Sequence, residues 1–176
     1  MTSQATARVY VACLASYNAG TLHGAWIDLT ADASDIADAI AGVLAESPEP
    51  GAEEWAIHDH EGLCGLLSGE SADPEELAQI AEVIESADDV EALEAFVDYG
   101  WNKLDTLADD FEEHYLGEHD SEIDYASDRV ESIDLLDGCN EVAAFYFDYE
   151  AYSRDLFLGD LWSAPAPGGG VYVFSR

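Results

Sequence analysis

The sequence predicts an α+β protein made of three small parts in series. Strand-like runs of β-branched and aromatic residues lie near both ends, and helix-capping residues with apolar positions three or four apart fill the middle. Apolar residues make up 48% of the 176 residues, which is enough to bury a hydrophobic core. The predicted domains are an N-terminal α/β domain at 1–62, a helical middle domain at 63–117 and a C-terminal α+β domain at 118–176.

The N-terminal domain is predicted to combine a small sheet with one helix. The predicted strands are residues 8–15, 24–29 and 54–59. The first strand is dense in the β-branched and aromatic side chains that favour strands, and the turn-forming residues 18–20 follow it. The helix has Asp32 or Ser34 as its N-cap and ends before Pro48.

The middle domain carries strong signals for helix starts. Asp73 is a predicted N-cap, Pro74 occupies the first helical position and Glu76 completes a capping box. The same pattern at Asp88 predicts a second helix that ends at Gly100. Two consecutive short helices are therefore expected after the N-terminal sheet.

A third helix and a second mixed region follow. Apolar residues at helical spacing predict a helix over 101–116, and Gly117 suits the left-handed conformation that ends it. A further helix is predicted over 121–137, and a terminal strand over 171–174 follows the glycine-rich turn at 165–170. The C-terminal part is thus expected to mix helix and strand.

The charge balance is the most unusual property of the chain. Lys and Arg total 5 against 39 Asp and Glu, a formal net charge of −34, and residues 9–102 contain no Lys or Arg. Nucleic-acid binding through a basic patch is therefore excluded, and an anionic membrane surface would repel the chain. The partner that this charge favours is a cationic protein surface, such as one that binds nucleic acid.

Acids three or four residues apart on a helix form rows with a spacing of about 5–6 Å, which is comparable to successive phosphates along a strand. The candidate DNA-mimicking acids are Asp32, Asp35, Asp38, Glu75, Glu82, Glu85, Asp89, Glu91, Glu94, Asp98, Asp109, Glu112 and Glu113. The net charge of −34 matches the phosphates of roughly 17 base pairs, and a two-fold dimer would match about 34. Adaptation to high salt is the alternative explanation of such a surface.

Motifs for catalysis or metal binding are not specific. Imidazoles stand beside carboxylates at 58–61, 112–114 and 118–120, but the chain has no HExxH, CxxC or calcium-loop pattern. It also has no phosphate-binding glycine loop and no GxSxG turn. The sequence therefore predicts a protein that is not an enzyme, without catalytic residues, metal or cofactor.

Cysteine usage and hydropathy bear on the compartment. Cys13, Cys64 and Cys139 form an odd set without paired spacing, which predicts reduced thiols in the core of a cytoplasmic protein. No run approaches the ~20 apolar residues of a membrane helix. The apolar stretch after Arg8 is at the short limit for a signal peptide and leads into a turn, so secretion is not expected.

Aromatic residues concentrate near the C-terminus. The cluster consists of Phe145, Tyr146, Phe147, Tyr149, Tyr152 and Phe157. Such a cluster usually belongs to a hydrophobic core. The alternative is an interface through which two copies pair, since aromatic residues are enriched at interfaces.

Two segments resemble the ArdA family of antirestriction proteins. RVYVACLASYNAG at 8–20, followed by LHGAWID at 22–28, resembles the opening of that family, and FYFDYEAYSRDL at 145–156 resembles its shared antirestriction motif. The order of parts and the length agree over essentially the whole chain. The turn at 165–170 departs from the family pattern.

The resemblance implies an elongated protein of three domains that pairs through its C-terminal part and displays carboxylates along a surface like bent DNA. Family members inhibit type I restriction-modification enzymes, in some cases their methylation too, and are carried by mobile genetic elements. The implied dimerisation motif contains Phe145, Tyr146, Phe147, Asp148, Tyr149, Tyr152, Arg154 and Asp155. The expected function is stoichiometric occupation of the enzyme's DNA channel, and the alternative is an acidic decoy or chaperone for another DNA-binding protein.

Overall fold

The computed structural model describes residues 7–67 and 69–176. In those residues the chain forms eight helices and two three-stranded sheets, which confirms the α+β class. One compact unit ends at Asp109, and the second is Asp110–Arg176. The finer division into three domains, with boundaries at 62 and 117, remains a prediction.

The first unit contains an antiparallel sheet in the strand order β2-β1-β3. Its strands are β1 (Arg8–Cys13), β2 (Gly24–Asp28) and β3 (Trp55–Glu61). Val9 and Val11 of the central strand are fully buried, and Val9 pairs with Ile27 of β2. All three strands were predicted from the sequence, and their alternation of side chains leaves one face of the sheet for the core.

The first strand is shorter than its pattern predicts. It ends at Cys13, and Leu14–Asn18 forms the short helix α1. This helical turn buries Ser16, whose hydroxyl lies 2.9 Å from the Ser47 hydroxyl. The apolar run could not show this change, because a buried strand and a buried helical turn have similar composition.

Helix α2 (Ala33–Ala45) packs against the first sheet. Its N-cap is Asp32, whose carboxylate accepts a hydrogen bond from the Ser34 amide at 2.8 Å, so Asp32 rather than Ser34 begins the helix. Ile36 and Ile40 are its buried residues. The helix ends before Pro48, as predicted.

Two consecutive helices lie in the middle region of the chain. Helix α3 (Pro74–Ser86) begins as predicted, with the Asp73 carboxylate accepting from the Glu76 amide at 2.8 Å. Helix α4 (Val90–Tyr99) has Asp89 as its N-cap, so the predicted start at Asp88 is wrong by one residue. The Asp89 carboxylate accepts from the Ala92 amide at 3.0 Å.

The helix predicted over 101–116 is confirmed only over Leu107–His114. The ring of Trp101 stacks on Phe96 of α4 with centroids 5.0 Å apart, and helix α5 is confined to Leu107–His114. The next residues form strand β4 (Tyr115–His119), in which Tyr115 pairs with Phe174. Gly117 has the expected positive φ of 106°, but it lies at an irregularity in the β4 pairing instead of ending a helix.

The second unit is built on a sheet in the order β4-β6-β5, with β5 (Leu161–Pro165) and β6 (Val171–Ser175). Its helices are α6 (Glu122–Ser132), α7 (Glu141–Phe145) and α8 (Tyr149–Gly159). A core of Tyr125, Leu161 and Val173 joins α6 and α8 to this sheet. The terminal strand was predicted, whereas β5 was not.

Helix α6 ends five residues before the predicted end of the 121–137 segment. The Leu135 amide donates to the Val130 carbonyl at 3.0 Å, and Asp134 adopts a positive φ of 51°. These are the features of a helix end that folds back on its last turn.

The turn at 165–170 joins β5 to β6 as a hairpin. The Ala166 amide donates to the Gly170 carbonyl at 2.9 Å, which closes the turn. A Cβ atom added at Gly170 would overlap the backbone carbonyl of His119 in β4. The glycine at this position therefore permits the close approach of two neighbouring strands.

We expect Gly170→Ala to lower the free energy of unfolding by about 1–3 kcal/mol, because the new Cβ must displace the β4 backbone. The measurement is urea unfolding followed by circular dichroism. Gly168→Ala is the control, since its Cβ would meet only the Glu118 side chain at an ordinary 3.6 Å. Equal unfolding midpoints for the two variants would contradict the assigned packing.

Candidate functional site

The predicted acid rows lie on the surface of four helices or at their caps. Every one of these carboxylates is exposed except Asp89, which is half-buried. Burying an unpaired carboxylate is costly, so exposure follows from the charge itself. What the structure adds is the side of each helix on which the acids stand.

On α2 the acids and the core residues occupy different sides. Asp35 and Asp38 are exposed and three residues apart, while Ile36 and Ile40 are buried. Asp32 is also exposed, but its carboxylate caps the helix. One member of this row therefore has a structural role in addition to its charge.

Helices α3 and α4 repeat this arrangement. The exposed acids are Glu75, Glu82 and Glu85 on α3, and Glu91, Glu94 and Asp98 on α4. The buried residues of the same helices include Leu77, Ile80 and Ile84 on α3, and Leu93, Phe96 and Val97 on α4. Each helix therefore presents a carboxylate row on the side opposite its apolar stripe.

Helix α5 carries the remaining candidate acids. Asp109, Glu112 and Glu113 are exposed, whereas Leu107 and Phe111 are buried. The spacing of three and four residues places these acids on one side of the helix.

Three of the five basic side chains have partners outside the acid rows. Arg8 forms an ion pair with Glu61 at 2.6 Å, and Arg176 donates to the Leu161 carbonyl at 3.0 Å. Arg129 donates to the Tyr125 hydroxyl at 3.4 Å, a contact that raises the pKa of its guanidinium. These contacts of the three cations therefore neutralise none of the candidate row acids.

The histidines beside carboxylates have other contacts. His58 packs edge-on against the Tyr17 ring, and His114 shares a hydrogen bond of 2.9 Å with the Ser175 hydroxyl. His119 lies 3.6 Å from the Asp128 carboxylate. Over 7–67 and 69–176, no three His, Cys, Asp or Glu side chains are placed to hold one metal ion.

The thiols differ in environment. Cys13 and Cys64 are buried and free, as predicted, and burial raises the pKa of the Cys64 thiol to about 11. Cys139 is exposed, so its assignment to the core is wrong. No helix in the described part of the chain is long and apolar enough to cross a membrane.

The aromatic cluster belongs only in part to the hydrophobic core, against which Phe157 packs. Phe145 of α7 and the C-cap residue Tyr146 are 82% and 76% exposed, so the core interpretation is wrong for these two residues. Phe147 is half-buried and packs edge-on against Tyr149 and Tyr152, with centroids 4.9 and 5.6 Å apart. Phe147, Tyr149 and Tyr152 therefore pack against one another, whereas Phe145 and Tyr146 are exposed.

The polar residues of the same segment divide between structure and surface. Asp148 caps α8 by accepting from the Ala151 amide at 2.9 Å. Arg154 and Asp155 are exposed on α8.

The sequence reasoning missed two exposed apolar residues of this region. Val142 on α7 and Leu158 on α8 are 64% and 75% exposed. The spacing of Val142, Phe145 and Tyr146 is typical of one side of a helix and could have revealed an apolar side without a predicted partner. Val142, Phe145, Tyr146 and Leu158 are more exposed than the other large apolar side chains of this unit, and we call these four the exposed apolar residues of the second unit.

The family model for the antirestriction protein (ArdA) matches residues 9–165. This span covers most of the chain and contains nearly all of the N-terminal segment and the whole aromatic segment on which the resemblance was based. No curated protein gives a significant match to the chain.

Proposed function

Because the chain belongs to the ArdA family of antirestriction proteins, we propose that it is a DNA mimic that occupies the DNA-binding channel of a type I restriction-modification enzyme. The observation that carries this proposal is the set of exposed carboxylate rows on α2, α3, α4 and α5, each opposite a buried stripe. Inhibition of this kind breaks no bond and needs no cofactor. The extent of inhibition therefore depends on the molar ratio of inhibitor to enzyme.

Carboxylates accept the same charge-assisted hydrogen bonds from Lys and Arg that phosphates accept. Acids three or four residues apart on a helix are about 5–6 Å from each other, so a row offers a cationic channel regularly spaced anions. Binding would release counterions and would be steered by long-range attraction. We expect occupation of the channel to lower DNA cleavage, and methylation as well where it requires the same channel.

We also propose that two copies pair through the exposed apolar residues of the second unit. Exposed apolar patches of monomeric proteins are usually small, and aromatic residues are enriched at interfaces. Pairing would double the number of displayed carboxylates. The target acts where the cell's DNA is, so the expected compartment is the cytoplasm.

The first prediction for this function is stoichiometric, competitive inhibition. Titration of the purified protein into DNA cleavage, methylation and DNA-binding assays of a type I enzyme should abolish activity near one dimer per enzyme. Added DNA should restore activity, and added salt should weaken inhibition because the contacts are between charges.

Titration of an unrelated nucleoid protein with the same preparation provides the comparison. Equal affinity for both proteins would favour a general acidic decoy, and no inhibition at low salt would contradict DNA mimicry.

The second prediction concerns the row on α4. A single change, Glu94→Gln, should weaken inhibition less than about 5-fold, because one exposed charge contributes ~0.2–1 kcal/mol. The triple change Glu91→Gln, Glu94→Gln and Asp98→Asn should weaken it roughly 3- to 150-fold, because three such contributions add. The measurement is the inhibitor concentration that halves DNA cleavage.

The matched control neutralises three exposed acids between α2 and β3: Glu46→Gln, Glu53→Gln and Glu54→Gln. It removes the same charge without touching a row. An equal loss of inhibition in the control would show that total charge matters and that the rows do not.

The third prediction concerns pairing. Phe145→Ala combined with Tyr146→Ala should shift the protein from dimer to monomer in analytical ultracentrifugation, while the thermal unfolding of each chain changes little. Both side chains are mostly exposed, so their removal leaves the core intact. Leu22→Ala is the control, since Leu22 is 87% exposed in the first unit. A dimer that survives the double change would contradict this interface.

A further inference from the structure

The first sheet has a second face, opposite the side that α2 covers. Because side chains alternate along a strand, Arg8 and Tyr10 point away from the core side of Val9 and Val11. In the pairing with β2, Tyr10 stands opposite Trp26. We call this the Tyr10–Trp26 face; its members are Arg8, Tyr10, Trp26, Asp28, Asp59 and Glu61.

This face already holds one guanidinium. The Arg8 Cζ atom lies 4.7 Å from the centroid of the Trp26 ring. Its Nε and Nη2 atoms donate to Glu61 Oε2 at 2.8 and 2.6 Å. An aromatic surface and a carboxylate are thus arranged as a guanidinium group requires.

The aromatic pair is fixed by the backbone. Tyr10 and Trp26 pack edge to face, with centroids 5.7 Å apart and planes at 70°. Gly24 lies two residues before Trp26 on β2, and a Cβ atom added there would lie 2.9 Å from the Tyr10 ring. The absence of a side chain at Gly24 therefore lets the Tyr10 ring lie across β2 beside Trp26.

The charge of the face is unbalanced. Asp28 and Glu61 stand opposite Arg8 in the strand pairing, and Asp59 stands opposite Tyr10. All three acids are exposed. Three carboxylates against one guanidinium leave the face negative, which favours a further cation.

We propose that the Tyr10–Trp26 face binds an arginine side chain of the target's DNA-binding surface, which takes the place of Arg8 on Trp26 and Glu61. The proposal rests on the proposed function in one respect, because the partner is taken to be cationic. Beyond that function, the proposal names the chemical class of one contacting side chain of the partner, a guanidinium. Arginine is favoured over lysine because a planar guanidinium stacks on an aromatic ring and binds a carboxylate at the same time.

The same chemistry occurs when proteins bind nucleic acids, where guanidinium planes stack on exposed bases. The Trp26 ring, which is 37% exposed, would offer such a surface next to carboxylates that stand for phosphates. A DNA-binding arginine would therefore meet both of the groups that it meets on its natural ligand.

Displacement of Arg8 is feasible because its contacts are open to water. The Arg8 and Glu61 side chains keep 39% and 55% of their accessible surface. Exposed ion pairs contribute little to stability. Arg8 therefore acts as an internal competitor, and its removal should strengthen the binding of an external arginine.

The first test uses a short arginine-rich peptide, with a lysine-rich peptide of equal length for comparison. Binding is followed by the NMR signal of the Trp26 indole, which is assigned by its loss in Trp26→Phe. Arg8→Gln should raise the affinity for the arginine peptide about 3- to 10-fold more than Lys103→Gln does. Lys103 is an exposed cation of the same unit, so the control removes equal charge elsewhere.

Trp26→Ala in the Arg8→Gln background, with binding followed by isothermal titration calorimetry because the indole signal is absent, should abolish the gain in affinity. Equal affinities of Arg8→Gln and Lys103→Gln would overturn the proposal. Equal binding of the arginine and lysine peptides would also overturn it.

The second test uses inhibition of a type I enzyme. Trp26→Ala should raise the inhibitor concentration required about 3- to 10-fold, whereas Tyr99→Ala, a change at another exposed aromatic of the unit, should not. If the original protein inhibits and Trp26→Ala inhibits equally well, the Tyr10–Trp26 contact is wrong and DNA mimicry stands. If the original protein does not inhibit, DNA mimicry is wrong and the peptide experiment alone decides the arginine site.

Discussion

The structure depends on one constraint: each exposed row of negative charge must be held by a buried apolar stripe on the other side of the same helix. A like-charge pair on a helix costs ~0.2–0.5 kcal/mol, whereas a fully buried Leu or Ile stabilises by about 1.5–3 kcal/mol. On α3, Leu77 and Ile80 are fully buried behind the exposed Glu82 and Glu85. One such side chain offsets the repulsion of several neighbouring carboxylates, so a strongly charged surface and a stable fold are compatible.

Some of the negative charge also supports the fold directly. Asp32, Asp73, Asp89 and Asp148 each begin a helix and accept a hydrogen bond from a backbone amide of its first turn. A carboxylate at this position satisfies an unpaired amide and interacts favourably with the helix dipole. Asp32 and Asp89 belong to the candidate surface as well. Their loss would therefore change stability and displayed charge together, and they are poor sites at which to measure either effect alone.

Local chemistry explains which parts of the fold were predictable. The start of α3 follows from Asp73 and Pro74, and the exposure of the acid rows follows from the cost of burying a carboxylate. The predicted end of the helix over 101–116 is wrong for a nonlocal reason, because Tyr115 pairs with Phe174 far along the chain. The four-residue spacing between Phe111 and Tyr115 is typical of a helix. The local pattern does not reveal the distant strand with which Tyr115 pairs. The exposure of Phe145 could not be predicted from composition, and only the spacing of Val142, Phe145 and Tyr146 along one side of a helix indicated it.

Charge and apolar contact have different physical roles on such a surface. Attraction between a row of carboxylates and a cationic channel gives fast association, but it would favour many DNA-binding proteins almost equally. Selectivity requires contacts with defined geometry, and the packed rings of Tyr10 and Trp26 are a contact of that kind. Salt screens attraction and repulsion alike. Two chains that each carry a charge of −34 repel each other, so screening by salt would favour apolar pairing through residues such as Phe145. The same screening would weaken binding to a cationic target. The two proposed interfaces should therefore respond to ionic strength in opposite directions, because one is apolar between like charges and the other joins opposite charges.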